Sequence, residues 1–470
     1  MTSIAIGVDL ATANARVLAL DVETGAVCAH ASAPLPSPVR AGDGASTQAA
    51  EYWNVVRSLL RSVTRDLGDR SAAIVAISAT GTSGSVVPAD VDNRPVGDAS
   101  LYDDTRGAVL RSDVEDAGVP WATGSQLARI SELARRVPAH RYISTADVVL
   151  SALAGGALPS DASHFLKAGI DVAECRWNAR ALAAVGLSPD VLPVLAPSGS
   201  ILGEVSRLAS QDTGVPAGAV IVSGMTDGCT AQIAAGGVRD GDTIGVLGTT
   251  LVLKAVSPLQ ITSPVVYSHR SPDELWWPGG ASNSGAGAIG AEFRETGRDL
   301  EDWGRAAAVH GPSSVVGYPL SGIGERFPFT DPRAMSFLSA PPTSRTEEYR
   351  TLLEGVAFVE RLGLETLERA GVASRRHVAA GGASASATWV RIRASVLKRP
   401  IAVAGSEASS LGAAVLAAAA ISREAFADTV GRLTRVAAIV DPEVDEIARL
   451  DDSFARFTIE LEQRGYLMRT

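Results

Sequence analysis

One pattern occurs twice in the chain and constrains the fold more than any other feature. The stretch "GVDLATANARVLAL" (Gly7–Leu20) runs from an apolar strand through a turn of small and hydroxyl-bearing residues into a second apolar strand. "GVLGTTLVLKAV" (Gly245–Val256) does the same, with Thr249 and Thr250 where the first turn has Thr12. Two apolar runs broken by a short turn read as an antiparallel hairpin. Repetition at this scale reads as two related lobes. A hairpin turn offered by each lobe implies a cleft between them. Elsewhere strands alternate with helices. "EYWNVVRSLLRSVTRDLG" has helical spacing up to Gly68, and "AAIVAISATGTSGSVVPAD" is strand, polar loop and strand. "SRTEEYRTLLEGVAFVERLGLETLERAG" is a long amphipathic helix, and the segment from Asp441 on reads as a charged surface helix. The expected class is therefore α/β. At 470 residues the chain is long for one core. We expect a boundary near Gly241, giving lobes 1–241 and 242–470.

Charge and cysteine usage exclude several roles. The formal net charge is -10, which opposes wrapping of a nucleic-acid backbone. Cys28, Cys175 and Cys229 are few, odd in number and scattered, so neither a disulfide framework nor a CxxC metal site is expected. No basic region followed by a long apolar segment opens the chain, and "LGAAVLAAAAI" is too short to span a bilayer. The expectation is a cytoplasmic protein with no membrane or nucleic-acid partner.

Phosphate chemistry narrows next. None of the lysines, Lys167, Lys254 and Lys398, follows a glycine, so there is no P-loop. The protein-kinase HRD and DFG signatures are absent as well. A bound nucleotide would then be cradled by backbone N–H groups and hydroxyls in turns of small residues. "GAGAIG" (Gly285–Gly290) matches the dinucleotide pattern GxGxxG. It follows "WWPGGASNS", which is not a clean buried strand, and no strand-end acid follows at the expected distance.

The acids near these turns carry the chemistry. Asp9 at the end of a strand is either a turn former or a carboxylate that holds hydrated Mg²⁺. Asp227, in "VIVSGMTDGCTAQIAAGG", is either a helix cap or a general base that takes a proton from a sugar hydroxyl. Asp104 and Arg106, in "LYDDTRG", read as a surface ion pair or as a polar hairpin beside a sugar. Ser83 lies in "TGTSGS", which suits an ordinary loop or a polyhydroxylated ligand. Trp276 and Trp277 read as core.

In order along nearly the whole chain, these segments resemble the FGGY carbohydrate kinases. "GVDLATANAR" is similar to the first phosphate motif and "LYDDTR" to the Trp-x-Asp-x-Arg hairpin. "SGMTDG" is similar to the segment of the catalytic Asp, and "GVLGTT" to the second phosphate motif. "AAGGASASATWVRIRASVLKRPI" with "EASSLGAA" resembles the adenosine motif. The resemblance implies a two-lobed actin-like ATPase (ribonuclease H-like) fold with an inter-lobe cleft, ATP and Mg²⁺ as cofactors, and a small sugar as acceptor. It implies that Asp9 organises Mg²⁺ and touches the sugar, that Thr12 and Arg16 serve the first phosphate loop, and that Gly248, Thr249 and Thr250 serve the second. It further implies Asp227 as the catalytic base, Gly381, Gly382 and Ala383 beside the adenosine, and Ser83, Asp104 and Arg106 on the sugar side. Within the family, "TGTSGSVVPAD", "SDASHFLKAGID" and "YPLSGIGERFPF" look like the branch that phosphorylates D-ribulose, once described as xylulose-kinase-like. D-xylulose, another polyol, or a non-catalytic nucleotide and sugar sensor are the alternatives, as a monomer or homodimer. Ala11 and Ala13 depart from the common Gly and Ser/Thr of the first phosphate loop.

Overall fold

The computed structural model describes residues 2–294 and 299–467. The chain divides into two compact units, the first comprising residues up to Gly236 with His269–Glu274 and Ser406–Arg435. The second comprises Gly237–Ser268, Leu275–Gly405 and the chain from Val436 on.

The first unit is built on a six-stranded sheet. Its strands are β1 (Ile4–Leu10), β2 (Asn14–Asp21), β3 (Val27–Pro34), β4 (Ile74–Gly81), β5 (Ile201–Glu204) and β6 (Val220–Val222), in the order β5-β6-β4-β1-β2-β3. β1 pairs antiparallel with β2 and parallel with β4, which pairs parallel with β6. Every residue of β1 is buried, as expected of a strand covered on both faces. Alternate residues serve opposite faces. Ile4, Ile6, Val8 and Leu10 join a core with Val56, Leu60 and Val63 of the Ala50–Leu67 helix. Gly7 faces the other way, onto the Ser409–Ala420 helix.

That Ala-rich helix lies close enough to its neighbours that side chains are excluded. A Cβ at Gly412 would stand 1.8 Å from the Thr230 carbonyl oxygen, and one at Gly7 1.9 Å from that of Ser410. Both obstacles are backbone atoms, so neither can swing aside. Gly412→Ala should therefore destabilise the protein by about 3 kcal/mol, the upper part of the usual overpacking range. A urea midpoint lowered with unchanged m-value is the expected result. An unshifted midpoint would contradict this packing.

The second unit repeats the scheme on a seven-stranded sheet. Its strands are β7 (Asp242–Leu247), β8 (Leu251–Ala255), β9 (Tyr267–Arg270), β10 (Trp276–Ala281), β11 (Arg376–Ala380), β12 (Ile401–Ala404) and β13 (Val436–Val440), in the order β9-β10-β8-β7-β11-β12-β13. β7 pairs antiparallel with β8 and parallel with β11, as β1 does with β2 and β4. The repeat seen in the sequence is thus a repeat of hairpin plus parallel neighbour. Beneath β7 lies a buried ion cluster. Arg393 donates to Glu360 through Nε (2.7 Å) and Nη2 (2.6 Å), and to the Gly245 carbonyl oxygen at 3.2 Å. His377 adds its Nε2 to Glu360 at 3.1 Å. The cluster ties the Arg345–Arg369 helix to the strand that carries the second turn.

Trp276 and Trp277 are buried, in line with the core reading. The terminal helix, Val444–Gln463, is a surface helix as expected, but one of its faces is buried. Leu450, Phe454, Phe457 and Leu461 form a stripe at helical spacing that packs with Tyr318 and Phe358 in the core of the second unit. Its charged residues had masked that stripe.

Candidate active site

In open parallel sheets, ligands collect beyond the carboxyl ends of the strands. Three such ends lie side by side in the first unit. Asp9 is the penultimate residue of β1 and pairs with Thr80 of β4. Gly81, the last residue of β4, bridges to Thr226, immediately before Asp227. One strand end therefore separates the two carboxylates, and the charge of Asp227 acts on Asp9. Asp9 is 2% exposed. Its Oδ2 accepts a hydrogen bond from Nη1 of Arg16, its cross-strand neighbour, at 2.8 Å. Its Oδ1 is buried and accepts none. Burial pushes the carboxyl up to about 6, against the pull of Arg16 and with a further push from Asp227.

Asp227 opens the Asp227–Ala234 helix, and the loop before it is fastened on several sides. Thr80 Oγ1 donates to the Met225 carbonyl at 2.6 Å. The Thr226 N–H donates to Ser163 Oγ at 3.0 Å, and Ser163 donates in turn to Asp161 at 2.6 Å. Asp161 also pairs with His164, which is buried. Burial alone would lower the His164 pKa, but Asp161, with Asp147 and Asp227, raises it. The Asp227 Oδ1 accepts from the Gly228 N–H at 2.7 Å. These bonds hold the backbone that carries the Asp227 carboxylate.

The sugar-side candidates follow β4. Ser83 is partly exposed in the loop after that strand, between Thr82 and Ser85, whose hydroxyls bond each other at 2.7 Å. Asp104 and Arg106 do not form a hairpin. They stand in a turn that runs into the 3-10 helix Arg106–Leu110. Nor is their pair a surface one, because Asp104 is 3% exposed. Burial would raise its carboxyl, yet the Arg106 and Ser100 hydrogen bonds hold it below the usual range. Arg106 Nε lies 3.0 Å from Oδ1, and Ser100 Oγ donates to Oδ2 at 2.8 Å. Two cations to which the sequence reading gave no role at this site border this region. Arg129 reaches both the Ser83 loop and the Asp104 turn through their carbonyls. Lys167 is partly exposed, with its Cδ beside Gly84 and no ion pair among the described residues. The scarcity of lysine, only three in the chain, was a signal for it.

In the second unit Gly248, Thr249 and Thr250 form the β7–β8 turn, and Thr249 is exposed. The "GAGAIG" segment lies directly against this turn. A Cβ at Gly285 would stand 2.5 Å from the Thr249 carbonyl oxygen, and the Gly287 N–H donates to that oxygen at 3.0 Å. The preceding strand, β10, is antiparallel to β8. These glycines thus allow backbone contact with the turn, and the βαβ context of a dinucleotide fingerprint is missing. Gly381, Gly382 and Ala383 follow β11, whose last residue pairs with Val246. Gly381 has φ +94° and presses on the Leu247 backbone, so the adenosine candidates and the second turn lie at the same end of the sheet. The first turn holds Thr12, and the Ala11 N–H donates to the Asn14 carbonyl at 3.0 Å. Neither Ala11 nor Ala13 takes a positive φ. Ala in place of Gly therefore imposes no strain.

A divalent cation suits Asp9. Its buried Oδ1 lacks a partner, and its raised pKa reports unsatisfied negative charge. No cluster of three or more His, Cys, Asp or Glu that could hold a metal occurs among the described residues. Mg²⁺ keeps its waters and uses one or two carboxylates with phosphate oxygens, so a single carboxylate such as Asp9 could serve it. No helix among the described residues is long and apolar enough to cross a membrane.

Comparison with known proteins agrees with this geometry. Residues 4–122 match the model for the FGGY family of carbohydrate kinases, N-terminal domain, and residues 244–421 match that for its C-terminal domain. The chain is 25% identical to the autoinducer-2 kinase of Yersinia enterocolitica, over 94% of this chain and 91% of that protein. It is 22% identical to the xylulose kinase of Bacillus subtilis, over 88% of this chain and 87% of the other. The solved xylulose kinase of Rhodospirillum rubrum superposes with a TM-score of 0.87 at 24% identity, covering 98% of each chain. The fold is that of these actin-like ATPases.

Proposed function

Because the chain belongs to the FGGY family of carbohydrate kinases, and is thus an ATP-dependent sugar kinase, we propose that its acceptor is a ketopentose, with D-ribulose converted to D-ribulose 5-phosphate. The observation that carries the phosphoryl-transfer chemistry is the placement of Asp9, at the end of β1, one strand away from the loop that leads into Asp227. Asp227 accepts the proton of the terminal hydroxyl as that oxygen bonds to the γ-phosphorus of ATP. The bond from phosphorus to the bridging oxygen breaks, and ADP leaves. Mg²⁺, organised by Asp9, neutralises phosphate charge when bound. Arg16 holds Asp9 in place, and Thr12 presents its hydroxyl to phosphate. In the second unit Gly248, Thr249 and Thr250 meet phosphate oxygens, while Gly381, Gly382 and Ala383 border the adenosine. The free thiols Cys28, Cys175 and Cys229 suit work in the cytosol.

The choice of sugar rests on the branch-like segments, among them "SDASHFLKAGID". Relatives named as autoinducer-2 kinase, xylulose kinase and gluconokinase supply the rival acceptors. A coupled ADP assay on D-ribulose, D-xylulose, ribitol, gluconate and autoinducer-2 separates them. D-ribulose is expected to have the highest kcat/KM. A tenfold preference for D-xylulose or ribitol would overturn the sugar and leave the kinase.

A further inference from the structure

The Trp121–Arg136 helix carries one charged side chain into the interior. Arg129 is 7% exposed, flanked in sequence by the buried Leu127, Ala128 and Ile130. Its guanidinium makes no ion pair among the described residues. It spends its donors on three backbone carbonyls: Nε on Asp104 at 3.0 Å, Nη1 on Gly84 at 2.6 Å and Nη2 on Tyr102 at 2.7 Å. These carbonyls belong to two separate segments. Gly84 follows Ser83 in the loop after β4, while Tyr102 and Asp104 belong to the turn that ends at Arg106. Gly84, at φ +89°, brings its backbone flat against the guanidinium, with Nη1 3.5 Å from where a Cβ would stand.

Burying a cation without a carboxylate partner is costly, and apolar side chains would fill the same volume more cheaply. The planar fork supplies what they cannot, three donors at fixed angles to three carbonyls. Resting on the sugar-kinase reading above, we propose that Arg129 is a positioning residue for the acceptor sugar, setting the distance between the Ser83 loop and the Asp104–Arg106 turn and thereby the enzyme's discrimination among acceptors. It touches neither sugar nor nucleotide. It acts through the two segments that line the sugar.

Arg129→Met and Arg129→Lys test this, with wild type assayed beside them. The Met variant keeps the stem and removes all three bonds. The Lys variant keeps the charge but not the fork. Steady-state kinetics are measured with D-ribulose and D-xylulose as acceptors and with ATP varied separately. For Arg129→Met the sugar KM should rise at least tenfold, the ATP KM should stay within twofold, and the ratio of kcat/KM for the two ketoses should shift by threefold or more. Arg129→Lys should fall between Met and wild type. A merely structural role would lower the active fraction, reducing kcat for both sugars equally without moving either KM or the ratio. That pattern, or an unchanged sugar KM in the Lys variant where the Met variant does not fold, overturns the proposal. Wild-type protein that releases no ADP with any acceptor would instead overturn the kinase reading.

Discussion

Asp227→Asn is expected to lower kcat by about 10²–10⁴, the contribution typical of a positioned general base. The affinity for ATP should remain within twofold, because Gly248–Thr250 and Gly381–Ala383 belong to the other sheet and the substitution leaves the first-turn candidates Thr12 and Arg16 in place. The substitution is nearly isosteric, and the amide oxygen can still accept the Gly228 N–H bond that Oδ1 now takes. The loop is held independently, by Thr80 on the Met225 carbonyl and Ser163 on the Thr226 amide. Stability and nucleotide binding should therefore survive while the proton acceptor is lost. Single-turnover kinetics with calorimetric ATP binding measure both. A variant that keeps near-normal turnover removes Asp227 from the chemistry.

Asp9→Asn should have the second-largest effect, with opposite signs on activity and stability. The folded-state carboxyl is raised from 3.8 to about 6, so the folded protein holds a proton that the unfolded chain has already released. The stability that Asp9 contributes is fully present below about pH 4, declines between pH 4 and 6, and is lost above pH 6. A two-unit shift corresponds to about 3 kcal/mol. At pH 7 the Asn variant escapes that cost. It forgoes only the bond to Arg16, whose side chain is 46% exposed, and such a pair contributes about 1 kcal/mol or less. Urea unfolding should show the variant more stable than wild type at pH 7 and no more stable at pH 4. Mg²⁺ should add to the stabilisation that ATP gives wild type, and that increment should vanish in the variant, along with turnover. An Asn variant less stable than wild type at pH 7 would mean that Asp9 is not an unsatisfied charge.

The hairpin repeat was legible because its signal is local. Gly7–Leu20 and Gly245–Val256 each specify two strands and a turn without help from elsewhere in the chain. The acids were legible by position, since strand ends can be read from apolar runs that stop. Long-range packing was not. The Ser409–Ala420 helix is so uniformly small and apolar that nothing in its sequence tells which sheet it covers, and only Gly412 against Thr230 and Gly7 against Ser410 decide it. Arg129 was missed for a similar reason. An arginine in an amphipathic helix reads as solvated, and its carbonyl partners lie 25 to 45 residues away. The turn at Asp104 was mistaken for a hairpin because its ion pair is invisible to strand periodicity.

The central claim is that this chain moves the γ-phosphoryl group of ATP onto the terminal carbon's oxygen of a ketopentose. Phosphorus NMR of wild-type protein with ATP, Mg²⁺ and D-ribulose observes the transfer itself. The account predicts that the γ resonance is replaced one for one by a phosphomonoester split by the two hydrogens of a primary carbon, and that Asp227→Asn all but abolishes it. Inorganic phosphate as the only product, or a γ resonance that persists with every acceptor, would contradict it.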